Sequence, residues 1–238
     1  SVGAVVRTLR EVRQRCVLLA PTGRAAKVLA KHAGQPASTI HRHIYRPMRT
    51  PDGGTGYGLM TNKRTDTLFV VDEASMIGES SGLPAGGFQY RSLLDDLVEF
   101  VYSGQGCRLM LIGDDAQLPP VGASLSPALQ GDALKVDFGL TLAEVTLEDV
   151  VRQELDSAIL SNAHDLRMLM GMAEPKGPAP LPHFELGTGL QRVGGQDLEE
   201  LLVDLHAKHG EDNIVVITRS NKRAVQFNQH IRARVLWQ

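Results

Sequence analysis

Residues 68 to 75 read LFVVDEAS, a four-residue apolar run that ends in two adjacent carboxylates. A short uninterrupted apolar run leaves no polar face, which is the pattern of a parallel strand covered on both sides. Strands of that kind belong to α/β sheets, and open α/β sheets bind their ligands at the C-terminal strand edge. The run therefore delivers Asp72 and Glu73 to the edge where chemistry is done. An aspartate there can hold a Mg²⁺ through its water shell, and the adjacent glutamate can orient and deprotonate a water attacking a γ-phosphate. On these two residues alone, an acidic helix start after a core strand is an equally good reading.

A second strand of the same design changes the balance. LMLIGDDAQLPPVG at 109 to 122 repeats the layout of apolar strand, glycine, acid and polar amide. Gly113 lets the chain turn off the strand, Asp114 and Gln117 can face the same edge as Asp72, and Pro119-Pro120 stiffens the exit. A glutamine so placed can sense a phosphate or its water. The phosphate-cradling pattern G-x-x-x-x-G-K-[ST] occurs nowhere in the 238 residues.

With these motifs the sequence resembles the superfamily 1 DNA helicases of the RecD-like type. LLAPTGRAAKVLA at 18 to 30 looks like their motif Ia, STIH at 38 to 41 like Ic, VVDEAS like II, IGDDAQLPPVG like III and VVRQ at 150 to 153 like IV. STIH and VVRQ are individually weak, but the five matches stand in family order at plausible spacing. The resemblance implies an α/β, RecA-like P-loop NTPase fold with a mostly parallel sheet and flanking helices. It also implies ATP in a cleft between two RecA-like domains and single-stranded DNA running across both, with 5′ to 3′ translocation and duplex unwinding. Carried over by position, Asp72 is the Mg²⁺ ligand, Glu73 the catalytic base, Gln117 the γ-phosphate sensor and Arg152 an arginine finger. Gly113 and Asp114 stand with them around the nucleotide, and Pro21, Thr22, Arg24 and His41 lie along the DNA. The resemblance also brings DNA repair and recombination, duplex junctions as substrates and a nuclease or repair-complex partner into view, without fixing any of them.

Motif I is missing, and nothing like motifs V and VI follows residue 218. Val2, Val5, Val6, Leu9 and Val12 fall at helical spacing directly after Ser1, so a helix over 2 to 14 is expected. In the family the helix entering the first domain starts at the phosphate-loop lysine. The expectation is thus an internal piece of a longer protein: an incomplete first RecA-like domain over 1–153, a hinge helix and Pro-rich linker over 154–190, and the start of a second RecA-like domain over 191–238. If the phosphate-loop strand is absent, 107 to 112 and 140 to 145 should be strands without a ladder between them. Further strands are expected at 16 to 20, 67 to 71 and in NIVVIT at 213 to 218. Helices are expected at 23 to 33, 39 to 45, 90 to 103 and 156 to 171, in LEELLVDLHAKHG and in KRAVQFNQHIRARV. A turn-rich hairpin is expected at 51 to 58, a loop at 78 to 87 and an extended Pro-rich stretch at 174 to 184.

Formal net charge is only −2, but it is unevenly distributed. Residues 21 to 64 carry eight Lys and Arg against Asp52 alone, whereas 72 to 115 carry eight acids against Arg91 and Arg108. The first block can neutralise phosphates and part of the second can hold Mg²⁺. No apolar run approaches membrane-spanning length, which leads to the expectation of a soluble, cytoplasmic protein. Cys16 and Cys107 both open expected core strands, which suits buried thiols better than a disulfide or metal site. A different class of function also fits the missing loop: a catalytically inactive remnant that binds single-stranded DNA or a partner protein.

Overall fold

The computed structural model describes residues 2–49, 53–78, 92–120, 122–147, 158–171 and 182–236. Arg152 with the rest of VVRQ, most of the 78 to 87 loop and most of the Pro-rich stretch lie outside the described residues. The chain divides into two compact units, Ser1–Glu148 and Asp149–Gln238.

The first unit is built on a four-stranded sheet in the order β2-β1-β5-β6, from β1 (Arg15–Ala20), β2 (Ala37–Thr39), β5 (Thr67–Val71) and β6 (Arg108–Leu111). Every pairing in it is parallel. The fold is therefore α/β with a parallel sheet of the RecA-like kind. Alternation along the strands sends side chains to two covered faces. Val17, Leu19, Phe69, Val71, Leu109 and Leu111 join one core with helices α3 (Ile40–Ile44), α4 (Leu93–Tyr102) and α5 (Gly131–Phe138). Cys16, Leu18, Ala20, Leu68, Val70, Met110 and Ile112 join a second core with α1 (Val2–Glu11) and α2 (Gly23–Ala33). After Thr67, whose hydroxyl donates to Thr65 O, β5 is wholly apolar, as a strand covered on both faces requires.

The helix ends follow from local chemistry. Thr22 caps α2 by accepting the Ala25 N–H, and Gly34 closes it at φ 61 in the left-handed region that glycine enters without strain. Thr39 caps α3 through the Arg42 N–H, while Ser92 and Asp95 form a reciprocal capping box on α4. A Cβ on Gly3 would lie 2.9 Å from the His32 carbonyl oxygen, so the glycine lets α1 approach α2 closely. The expected hairpin is present as antiparallel β3 (Tyr45–Arg49) with β4 (Thr55–Leu59); residues 55 to 58 of the expected turn belong to β4, and 51 and 52 lie outside the described residues. Cys16 and Cys107 are free thiols.

Two expected strands are absent. Residues 140 to 145 form no ladder among the described residues; Leu140 and Leu142 pack on the first core instead, and Val145 projects into solvent. No ladder joins them to β6, as expected, but the reason is that they are not a strand at all. In the second unit, residues 214 to 218 form no ladder among the described residues. A lone apolar strand cannot satisfy its backbone except with water. The second unit otherwise contains α6 (Ala158–Gly171), α7 (Leu198–His209) and α8 (Asn221–His230), which ends in a π turn over Ile231–Val235. Asn162 ties α6 to the chain at Glu185, donating to its carbonyl and accepting its N–H, both at 2.8 Å.

Candidate nucleotide and nucleic-acid site

All the candidate residues that the structure describes fall at one edge of the first sheet, the C-terminal one. His41 stands on α3 just past β2, and Pro21, Thr22 and Arg24 just past β1. Asp72 and Glu73 come just past β5, while Gly113, Asp114 and Gln117 come just past β6. Parallel pairing alone produces this, because each strand ends on the same side.

The edge around the acidic pair is laced by backbone bonds. The Asp72 N–H donates to Leu19 O at 3.0 Å, which ties it to β1. Ile112 N–H donates to Val71 O at 2.9 Å, and Ala74 N–H donates to Ile112 O at 2.8 Å, which ties the turn to β6. Between these ties Glu73 takes φ 57 and ψ 39, a left-handed conformation uncommon for a residue with a side chain. It opens a 3₁₀ turn over Ala74–Met76. Asp72 and Glu73 are both half-buried.

Past β6, a Cβ on Gly113 would come within 2.9 Å of the Ser75 nitrogen and 3.0 Å of the Leu129 methyls, so no larger residue fits there without a shift. The Asp114 carboxylate accepts the Ala116 N–H at 3.0 Å, and its carbonyl accepts the Gln117 N–H at 3.1 Å. This local turn fixes the backbone of Gln117 and leaves its side chain exposed.

Among the described residues no group of three or more His, Cys, Asp or Glu could hold a metal ion. Asp72 alone fits a Mg²⁺ that keeps most of its waters and arrives with phosphate oxygens, since Mg²⁺ is commonly bound through one or two carboxylates. A half-buried aspartate at a strand edge is a donor of that kind.

All eight basic side chains of residues 21 to 64 are exposed; Arg24 and Arg42 closely follow β1 and β2 at this edge, whereas Lys63 and Arg64 precede β5 at the opposite one. Thr22 is occupied as the α2 cap, while Arg24 projects from the first turn. The His41 ring lies 5.7 Å from that of Tyr45, whose hydroxyl donates to Asp96 Oδ2 at 2.7 Å in the core. His43 is wedged edge-on against Phe69 and Phe100, and burial, then the Arg64 charge, pushes its imidazole below the ordinary value.

Sequence reasoning passed over Ser126. It caps a second 3₁₀ turn, Pro127–Leu129, and its hydroxyl reaches the carbonyls of Ala74 and Ile77. The serine followed directly by proline is a helix-start signal that was available in the sequence.

The family described as AAA domain matches residues 1–172. The ATP-dependent RecD2 DNA helicase of Deinococcus radiodurans is 33% identical over 179 residues, 74% of this chain and 21% of that protein. The chain thus spans about a fifth of the length of the curated relative it matches. A solved structure of two Pif1 helicases coordinating at forked duplex DNA covers 57% of this chain and 31% of its own, at 23% identity and a TM-score of 0.31.

Proposed function

The chain belongs to the AAA domain family in its RecD-like superfamily 1 helicase form, and from that premise we propose that it carries the acidic half of a DNA helicase's ATP site and part of its DNA track. The parent reaction is ATP hydrolysis coupled to 5′ to 3′ translocation on single-stranded DNA and unwinding at duplex junctions. What carries this reading is one observation: the acidic pair, the motif III turn and the segment with Thr22, Arg24 and His41 share the C-terminal edge of one parallel sheet.

In this reading Asp72 holds Mg²⁺ delivered with ATP, and Glu73 takes the proton of the attacking water. Gln117 reads the γ-phosphate, with Gly113 and Asp114 shaping its turn. Arg152 supplies a positive charge to the transferring phosphoryl group. Pro21, Thr22, Arg24 and His41 follow the DNA backbone, and phosphate contacts give the sequence indifference a translocating motor needs. We further assign the chain to an incomplete first RecA-like domain (1–153), a hinge and linker (154–190) and the start of a second (191–238), acting in the cytoplasm in repair or recombination. No helix among the described residues is long and apolar enough to cross a membrane.

Backbone N–H groups and the lysine of a phosphate loop supply most β- and γ-phosphate binding in such enzymes. The 238 residues lack that loop and should show negligible ATPase. With the loop restored upstream, Glu73→Gln should lower kcat by about 10² or more while nucleotide still binds. An unchanged kcat would remove Glu73 from the chemistry. DNA affinity should fall steeply with salt, and Arg24→Ala should reduce both affinity and salt slope. The missing loop favours a second reading, a non-hydrolysing module for single-stranded DNA or protein. It prevails if restoring the loop yields no DNA-stimulated turnover.

A further inference from the structure

The turn that carries Glu73 is held from within by two backbone bonds, from the Met76 N–H to Glu73 O and from the Ile77 N–H to Ala74 O, both at 3.1 Å. Glu73 sits in the left-handed region, and the Ser75 hydroxyl, 2% exposed as a residue, has no hydrogen-bond partner among the described residues. A conformation of this kind persists only where the surroundings over-determine it. Ile112 holds the turn from below, through the Ala74 N–H. From the other side, Ser126 Oγ lies 2.6 Å from Ile77 O and 2.9 Å from Ala74 O, and accepts the Ala128 N–H at 3.3 Å. Its single proton is shared between the two carbonyls. Ala74 and Ile77 are fully buried and Ser126 is 2% exposed, so the three groups are shielded from bulk water.

From this we infer that Ser126 is a positioning residue for Glu73: its hydroxyl clamps the 73–77 turn from the segment that follows motif III. The clamp makes the backbone of the 73–77 turn depend on where the 126–129 turn sits, and Leu129 of that turn packs over Gly113, where a Cβ would lie 3.0 Å from its methyls. A shift of the phosphate-sensing strand exit would reach the turn through the Ile112–Ala74 backbone bond on one side and through this serine on the other. The inference rests on the proposed function only for what Glu73 does, and not for how it is held.

The test uses the 238-residue chain and amide exchange resolved by residue. In Ser126→Ala the Met76 and Ile77 amides should exchange about five- to a hundredfold faster, the range expected when a buried acceptor loses its donor. Leu18 and Val70 in the sheet should keep their protection. The HN–Hα coupling of Glu73 should move away from its left-handed value. Ser126→Thr should restore both readouts; if the added methyl does not pack, Ser126→Cys, with a weaker donor, should give an intermediate effect. An unmoved Glu73 coupling, or a uniform acceleration of Leu18 and Val70 together with Ile77, would overturn the clamp and leave Ser126 a general packing residue. With the phosphate loop restored, Ser126→Ala should lower kcat and leave KM for ATP unchanged. Glu73→Gln with normal kcat would sink the role of Glu73 and leave the clamp standing.

Discussion

TLFVV at 67 to 71 and IVVIT at 214 to 218 are nearly interchangeable as patterns, five residues of β-branched and apolar character ending near a polar turn. In the first unit the run is β5, flanked by parallel partners on both edges, with Phe69, Val70 and Val71 at 0% exposure. In the second, Val215 is 54% exposed and Ile217 is 91% exposed. The difference lies in the neighbours. A strand is completed by the ladder and the helices that cover it, and propensity alone does not bury it.

The largest expected effect tests that contrast directly. Phe69→Ala removes a fully buried ring on β5 that stands edge-on to His43 and Phe100, and should destabilise the first unit by about 3–5 kcal/mol. Ile217→Ala should change stability by less than about 0.5 kcal/mol, as at other exposed sites. Urea unfolding followed separately for each unit measures both. A loss at Ile217 approaching that at Phe69 would mean that 214 to 218 is covered in solution, and the contrast between the runs would vanish.

A second substitution sharpens the comparison within the first unit. Tyr45→Phe deletes a buried donor to the Asp96 carboxylate, which joins the hairpin start to α4, and should cost about 1.5–3 kcal/mol as a charge-assisted bond. In the second unit the tie between α7 and the end of α8 is an exposed group of Glu199 with His230 and Arg234, at 3.6 and 3.4 Å. Glu199→Ala should cost about 1 kcal/mol or less, because water screens such pairs. Equal losses would show that burial does not set the strength of these ties.

What could be read from the sequence follows the same division. The bounds of α2 were legible because Thr22 and Gly34 carry local instructions for its two ends. β1, β5 and β6 were legible because each is too apolar for a half-exposed strand, and the shared edge follows from their parallel pairing. Residues 140 to 145 misled because LTLAEV has strand composition, whereas Leu140 and Leu142 reach the core from an irregular segment. β2 is three residues long and α5 has little amphipathic pattern, so neither carries a periodic signal. The Ser126 clamp and the Tyr45 to Asp96 bond span about fifty residues, and no local spacing encodes them.

A smaller effect separates capping from DNA contact at Thr22. Thr22→Ala removes the acceptor for the Ala25 N–H and should cost about 1 kcal/mol, whereas Thr22→Ser keeps the cap. If the residue also contacts DNA through its hydroxyl, the serine variant retains affinity and the alanine variant loses it at a temperature where both are folded. Affinity unchanged in the alanine variant would confine Thr22 to the helix end.

The smallest effect expected is a pH dependence at His43, the point where the basic segment meets the core. Burial against Phe69 and Phe100, followed by the Arg64 charge, holds its folded-state pKa below the ordinary 6.5. Above that value the ring is neutral in both folded and unfolded chains, and its contribution does not vary. As pH falls below 6.5 the unfolded chain takes up the proton first, so stability declines until the folded-state value is passed and then levels off. The ring is only half-buried and Arg64 is exposed, so screening keeps the decline modest. His43→Gln should flatten the pH profile of first-unit unfolding below 6.5 and leave that of the second unit as it was. If the wild-type and glutamine profiles run parallel through that window, the imidazole is solvated in the folded chain. The edge of the core at α3 would then be as open as the 214 to 218 run.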